Sequence, residues 1–301
     1  MNGSTIEARQ VATVVRGGVA EFYELTKPRI VLMVLVTALA GFYLGTRGSF
    51  DLALAFNLII GTALAAGGTL ALNQYVERDT DAMMQRTRHR PLPSGRMRPP
   101  EALAFGSLAT AAGVVYLAAM ANILCAAVTA SVAIVYLLAY TPLKRVTWMC
   151  NIVGAIPGAL PPVAGWAAAR GSLAVEPFLL FGLMFLWQLP HTFAVGRLYR
   201  ADYLRAGIYL LPDNNARGGN PSNPVVIVAS LGLVALGVIP TMMGLTGFLY
   251  TAIAVTLGVA MLGLAILMIG RSGGLTAARR VLLFSLIYLP VVLLAMVLDR
   301  V

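Results

Sequence analysis

Apolar residues in this chain come in nine long, nearly unbroken runs, and the polar residues are gathered between them. The runs cover residues 30–44, 52–76, 102–120, 123–140, 152–168, 177–198, 225–242, 248–269 and 281–298. Most have the length, ~17–25 residues, that carries a helix through the hydrocarbon of a bilayer. Inside lipid each backbone group must find its partner within its own segment, so these runs are predicted as transmembrane helices. Only Ala121-Asn122 parts the third run from the fourth. Together they hold roughly 39 apolar residues, which suits two spans better than one broken helix.

Composition supports the same reading. The 301 residues are 59% hydrophobic and only 11% charged, with a mean hydropathy of +0.82. A soluble domain of this length would need far more charge to cover its surface. The net charge of +10 would suit a nucleic-acid partner, but the basic residues sit in alternate short loops, which is the positive-inside pattern. With the N-terminus inside, nineteen of the 22 lysines and arginines fall on the inner face, leaving Arg47, Arg170 and Arg300 outside. The expectation is therefore an all-α integral membrane protein of nine helices, with the C-terminus outside, in a bacterial-type inner (plasma) membrane. It is read as one domain over 1–301, with 1–29 a cytoplasmic segment, in contact with membrane lipid and not with nucleic acid. No cleavable signal peptide is expected, because residues 1–24 are polar and carry both charge signs. Cys125 and Cys150 lack metal or redox spacing and read as packing residues.

Two inter-span loops are long and chemically rich, 77–101 and 199–223. They lie four spans apart, which suggests two related halves facing each other over one pocket. The stretch from Asn73 to Gly95 reads NQYVERDTDAMMQRTRHRPLPSG. Asn73, Glu77 and Asp81 recur every four residues, so a helix places them on one face. Oxygen ligands at a membrane boundary suit Mg²⁺, which takes a few carboxylates and lets phosphate oxygens complete its shell. Arg86 and Arg90 just beyond suit a polyanion. A diphosphate with an apolar tail needs both features and a membrane setting. Asp79 falls off that face and is expected to be solvated or paired with Arg78. Pro91 and Pro93 are expected to end the helix, and Arg96 and Arg98 to anchor the loop. Lys27 and Arg29 read as anchors too, while Asn151 stands where it could point into a pocket.

The Asn73–Gly95 segment resembles the aspartate-rich motif of the UbiA superfamily of intramembrane prenyltransferases, and most of all its haem-farnesylating branch. LTKPRI at residues 25–30, YTPLKRVTWMCNIVGAIPGALPPVAGWAA at 140–168, WQLPH at 187–191, DYLRAGI at 202–208 and SLIYL at 285–289 are similar to family motifs from end to end. The resemblance implies nine helices around a central cavity. It also implies transfer of a farnesyl group from farnesyl diphosphate to haem B, with Mg²⁺ on Asn73, Glu77 and Asp81 as the catalytic set. Arg86, Arg90, Lys144, Arg145 and Asp202 would bind diphosphate. His191 would face the haem as axial ligand or pocket wall, and His89 would touch phosphate or propionate. A haem A synthase is the implied recipient of the product. Ala201 stands where the family often has an acid, and Tyr209-Leu210 follows the AGI where Pro-Met is usual, so a second metal site is expected to be weaker. A quinone-precursor ring or a lipid alcohol as acceptor, and a membrane transporter, are the alternatives. Transport fits less well, because the acids cluster at one membrane face and not near the midplane.

Overall fold

The protein is described by a computed structural model covering residues 18–212, 220, 222–270 and 274–301. Arg9, Arg16, Arg217 and Arg271, counted above among the inner-face charges, lie outside the described residues. A short helix α1 (Val19–Leu25) precedes nine helices long and apolar enough to cross a membrane among the described residues. These are α2 (Pro28–Gly45), α3 (Leu52–Met83), α4 (Pro99–Met120), α5 (Ile123–Leu143), α6 (Cys150–Arg170), α7 (Glu176–Leu198), α8 (Ser222–Met242), α9 (Phe248–Ile269) and α10 (Gly274–Leu298). Each falls on one of the nine predicted runs. α3 carries its helix seven residues past the apolar run, through Glu77 and Asp81.

Local chemistry sets the boundaries. Asp51 caps α3 by accepting the Leu54 amide at 2.9 Å. Asn122 separates α4 from α5: its Oδ1 accepts from Cys125 N at 2.8 Å, while its Nδ2 donates to Ala167 O on α6 at 2.8 Å. Near its C-terminal end α5 widens into a π-helical stretch, Val135–Tyr140. Pro142 lies two residues beyond it; it has no amide proton to offer Leu138 O, and its ring crowds that carbonyl.

Small residues bring the helices together. A Cβ on Gly113 of α4 would lie 2.6 Å from Gly61 O of α3, so only glycine lets these two backbones meet. The main core joins α6, α7, α8, α9 and α10 around Tyr250, Tyr288 and Phe193. A second cluster joins α2 through α6 around Phe42, Leu58 and Leu117. Large apolar side chains such as Val115, Leu138 and Met242 stand exposed on the outside, as expected of a wall facing lipid. Odd-numbered spans end on one face of the bundle and even-numbered spans on the other, so the C-terminus of α3 shares its face with Lys27, the turn after α5 and the loop after α7.

Candidate active site

The last turns of α3 carry Asn73, Glu77 and Asp81 on one face, each ~6 Å along the axis from the next. Asn73 and Asp81 are buried, and a buried amide or carboxylate needs partners. Each of the three has a cation. Lys27 Nζ donates to Asn73 Oδ1 at 2.9 Å, Lys144 Nζ to Glu77 Oε1 at 2.6 Å, and Arg90 Nη1 to Asp81 Oδ2 at 2.6 Å. The cations come from three separate segments: the turn before α2, the turn after α5 and the loop after α3.

Lys27 corrects the expectation that it merely anchors the chain. Among the described residues it is the one non-glycine with a positive φ, 51°. The following Pro28 disfavours the right-handed helical region at Lys27, and the left-handed conformation costs ~1 kcal/mol. That turn directs the side chain onto Asn73. Burial, with the charge of Arg90 behind it, brings the Lys27 ammonium down to about 7. Sequence reasoning also passed over Thr141, whose Oγ1 accepts from Asn73 Nδ2 at 3.2 Å and donates to Tyr136 O at 2.7 Å. The signal was present in both cases: an asparagine inside an apolar run needs partners for its oxygen and its amide protons.

The prolines do not end the helix as expected. α3 stops at Met83, and Thr87 Oγ1 donates back to Asp81 O at 2.9 Å, turning the chain before Pro91 is reached. The loop then folds over the helix end and returns Arg90 to Asp81. Arg96 grips Glu24 at 2.8 Å and Glu21 at 3.4 Å, which fastens the loop to α1. Asp79 is exposed and 3.7 Å from Arg78 Nε, in line with its expected place off the face. His89 is exposed beside Arg88.

The two chemically rich loops meet here. Asp202 Oδ1 accepts from Gln85 N at 3.2 Å and from Arg205 Nη2 at 3.1 Å, so its carboxylate holds loop to loop. The Arg86 guanidinium lies 5.4 Å from the Tyr199 ring and 5.6 Å from that of Tyr203, and donates to the Tyr203 hydroxyl at 2.8 Å. Tyr209 N donates to Lys144 O at 2.8 Å, and Asn151 Nδ2 to Leu210 O at 2.7 Å. Of the adjacent pair, Lys144 meets Glu77 and Arg145 is exposed.

Directly beneath Lys144, whose Nζ sits 4.3 Å from the Tyr140 ring, a cavity of about 240 Å³ enters the bundle. Ile30, Thr69, Tyr136, Tyr140, Gln188 and Thr192 are among the residues that line it, and apolar surface dominates. A small pocket of about 30 Å³ continues it past Thr62, Thr129 and Ala164. His191 differs from expectation: Gln188 and Thr192 of α7 line the cavity, while His191 turns toward α10. Its Nδ1 is 2.7 Å from Ser285 Oγ, and its ring stacks on Trp187 at 5.2 Å. The Ser285 hydroxyl donates to Leu282 O at 2.6 Å. That assignment makes His191 Nδ1 the donor and leaves Nε2 with a free lone pair.

A hard divalent cation fits the donors present. Asp81 Oδ1 is buried and has no hydrogen-bond partner, and Glu77 and Asn73 supply further oxygens on the same face. No group of three His, Cys, Asp or Glu side chains is gathered for a metal among the described residues. Two carboxylates completed by phosphate oxygens match the habit of Mg²⁺, not that of a fully protein-ligated ion.

Comparison with known proteins identifies the family and the fold. The UbiA prenyltransferase family profile matches residues 34–288. The protoheme IX farnesyltransferase of Solibacter usitatus is 41% identical over 289 residues, covering 93% of this chain and 98% of the relative. That of Myxococcus xanthus is 42% identical over 284 residues, covering 94% and 95%. Among solved structures, digeranylgeranylglyceryl phosphate synthase superposes with a TM-score of 0.78 at 16% identity, covering 93% of this chain and 97% of that one. A UbiA homolog from Archaeoglobus fulgidus bound to GPP and Mg²⁺ gives 0.67 at 16%, covering 92% and 99%. These two share the fold.

Proposed function

The chain belongs to the UbiA prenyltransferase family, and on that premise we propose that it transfers a farnesyl group from farnesyl diphosphate to a vinyl group of protoheme IX. Water adds in the same sequence, and haem O and diphosphate are the products. The observation that carries this reading is the row Asn73, Glu77 and Asp81, faced by three cations at the mouth of an apolar cavity. Mg²⁺ bound through Asn73, Glu77 and Asp81 would neutralise charge that builds on the departing diphosphate.

The chain's own residues do the rest. Arg90 and Lys144 keep donors beyond those spent on Asp81 and Glu77, and these would take non-bridging phosphate oxygens. Arg86, held between two tyrosine rings, presents its guanidinium from the far loop. Asp202 acts as a positioning residue, since its carboxylate joins the two loops. Arg145, being exposed, would meet the diphosphate only at the rim. The allylic C–O bond breaks with its electron pair leaving on diphosphate. The vinyl π electrons then form the new C–C bond, and water supplies hydroxyl to the resulting cation and loses a proton. Tyr136, Tyr140 and the apolar wall exclude water until that bond has formed. His191 stands one helical step from the cavity-lining Gln188 and Thr192, and its Nε2 lone pair would reach the haem iron only once the ring turns from Ser285 toward the cavity.

In this reading the mouth of the cavity and the N-terminus face the cytoplasm of a bacterial-type inner membrane, and a haem A synthase receives the product. The test is to incubate the purified protein in micelles with haem B, farnesyl diphosphate and Mg²⁺. Haem mass should rise by one farnesyl group plus one hydroxyl, with one diphosphate released per haem. Unmodified haem beside a prenylated quinone precursor, when both acceptors are offered, would overturn the assignment.

A further inference from the structure

On the face opposite the active site, α2, α6 and α10 end and α7 begins. The three basic residues that the alternate-loop pattern leaves on that face, Arg47, Arg170 and Arg300, all line one cavity there of about 240 Å³. Nothing in the proposed reaction uses them. α2 alone separates this cavity from Lys27 by ~27 Å, so it is not part of the diphosphate site.

The arginines are built into place. Arg300 donates through Nη1 to Tyr43 O at 2.5 Å and through Nη2 to Thr46 O, with its guanidinium 5.1 Å from the Tyr43 ring. Arg170 lies over the Trp166 indole at 5.4 Å, and Arg47 is exposed at the mouth. The one acid lining the cavity is Glu176, and it forms no ion pair with any of them among the described residues. The nearby Asp299 is already engaged, capping α9 through Tyr250 N at 2.7 Å. Two buried groups remain without partners: Arg170 Nε, a donor, and Glu176 Oε2, an acceptor. Unpaired buried groups are costly, and these two do not satisfy one another. A ligand that meets both must bring an acceptor for the guanidiniums and a donor for the carboxylate. Leu44, Leu180, Leu245 and Met296 form its apolar side.

We propose that this cavity is a binding site for a phospholipid whose headgroup carries both a phosphate and a primary amine. The phosphate faces Arg47 and Arg170, the ammonium donates to Glu176, and the acyl chains leave along the leucines toward the surrounding bilayer. Arginine forks match phosphate oxygens, and a membrane interface delivers this chemistry at high local concentration. A porphyrin dicarboxylate would satisfy the arginines but would set a second carboxylate against Glu176.

Native mass spectrometry of the full chain, released from micelles holding equal phosphatidylethanolamine, phosphatidylcholine and phosphatidylglycerol, tests this directly. Wild type should retain one phosphatidylethanolamine about tenfold in excess over phosphatidylcholine, whose quaternary ammonium has no N–H to donate. Glu176→Gln should bring that ratio to about twofold or less, and Arg170→Gln should lower retention of every phospholipid about tenfold. Arg47→Gln, at an exposed position, gives a second phosphate-side variant if Arg170→Gln fails to fold. Equal retention of the amine and choline lipids by wild type would overturn the proposal, as would an unchanged ratio in Glu176→Gln. Retention of deacylated glycerophosphoethanolamine as strong as that of the lipid would assign the site to a soluble ligand. Displacement of the lipid by haem, mole for mole, would assign it to porphyrin carboxylates; either result overturns the lipid assignment.

Discussion

At the α3 end of the bundle Lys27, Lys144 and Arg90 each reach an oxygen on one helix face, at 2.9, 2.6 and 2.6 Å. At the far end Arg47, Arg170 and Arg300 share a cavity with Glu176 and leave it unpaired. Both ends hold clustered cations near apolar space, yet only the first matches them one to one. Buried ion pairs contribute little net stability, because desolvation offsets most of the attraction. Their regular pairing therefore speaks for positioning: cations and oxygens are held ready for a ligand that needs both. Where charges are gathered and left unmatched, the missing partner belongs to something outside the chain.

The comparison breaks most completely if the two ends do not face opposite compartments. A cysteine placed at Arg88 should be labelled only from the cytoplasmic side, and one at Gly48 or Gly171 only from the other, an all-or-none outcome. The native Cys125 and Cys150 are buried and should give little background. Labelling of Arg88→Cys from the periplasmic side would invert the orientation. Next in size, Asp81→Asn and Glu77→Gln should each lower turnover roughly 10²-fold or more while the protein stays folded in the membrane. The melting temperature should be lower, because Arg90 or Lys144 loses its carboxylate. Haem O output near normal at saturating Mg²⁺ would remove them from the catalytic set. Lys27→Met keeps the length of the side chain and removes one charge-assisted contact. It should weaken farnesyl diphosphate binding about tenfold, measured by calorimetry; unchanged affinity would return Lys27 to the role of an anchor. Smallest is His191→Ala, expected to weaken haem binding several-fold, on the order of 1 kcal/mol, and to shift its absorption spectrum. Farnesyl diphosphate affinity should stay close to wild type, and the reverse pattern would place His191 in the wrong half of the site.

The spans were legible because lipid imposes one rule on every segment: backbone groups are satisfied locally and side chains are apolar. The helix ends were less legible. α3 runs past Val76 because Glu77 and Asp81 find cations there, a fact about distant segments that no local window holds. Lys144 and Arg145 are equivalent in sequence, and the geometry of the turn after α5 alone selects Lys144. Lys27 was misread because a cation at a membrane boundary already has a bland explanation; its left-handed turn before Pro28 and the needs of Asn73 argued otherwise. Asp202 looked like a ligand by its motif, and the further role of one of its oxygens, Oδ1, in accepting from Gln85 N and Arg205 across the two loops could not be read from the sequence. His191 was expected to face the haem, but one step along α7 separates the cavity-lining Gln188 and Thr192 from the pair Trp187 and His191 that faces α10. The gathering of three arginines at the far end was visible only as an exception to a charge rule.

Linkage between Mg²⁺ and farnesyl diphosphate binding tests the account most directly. Calorimetric titration of the diphosphate into wild type and Asp81→Asn, each with and without Mg²⁺, reads it in one experiment. In wild type the ion should tighten binding about tenfold or more, a coupling of ~1.4 kcal/mol. In Asp81→Asn, where the unpartnered buried oxygen Oδ1 has lost its charge, that gain should fall to about twofold or less. An equal Mg²⁺-dependent gain in both proteins would contradict the assignment of the Asn73, Glu77 and Asp81 face to the metal-bound diphosphate.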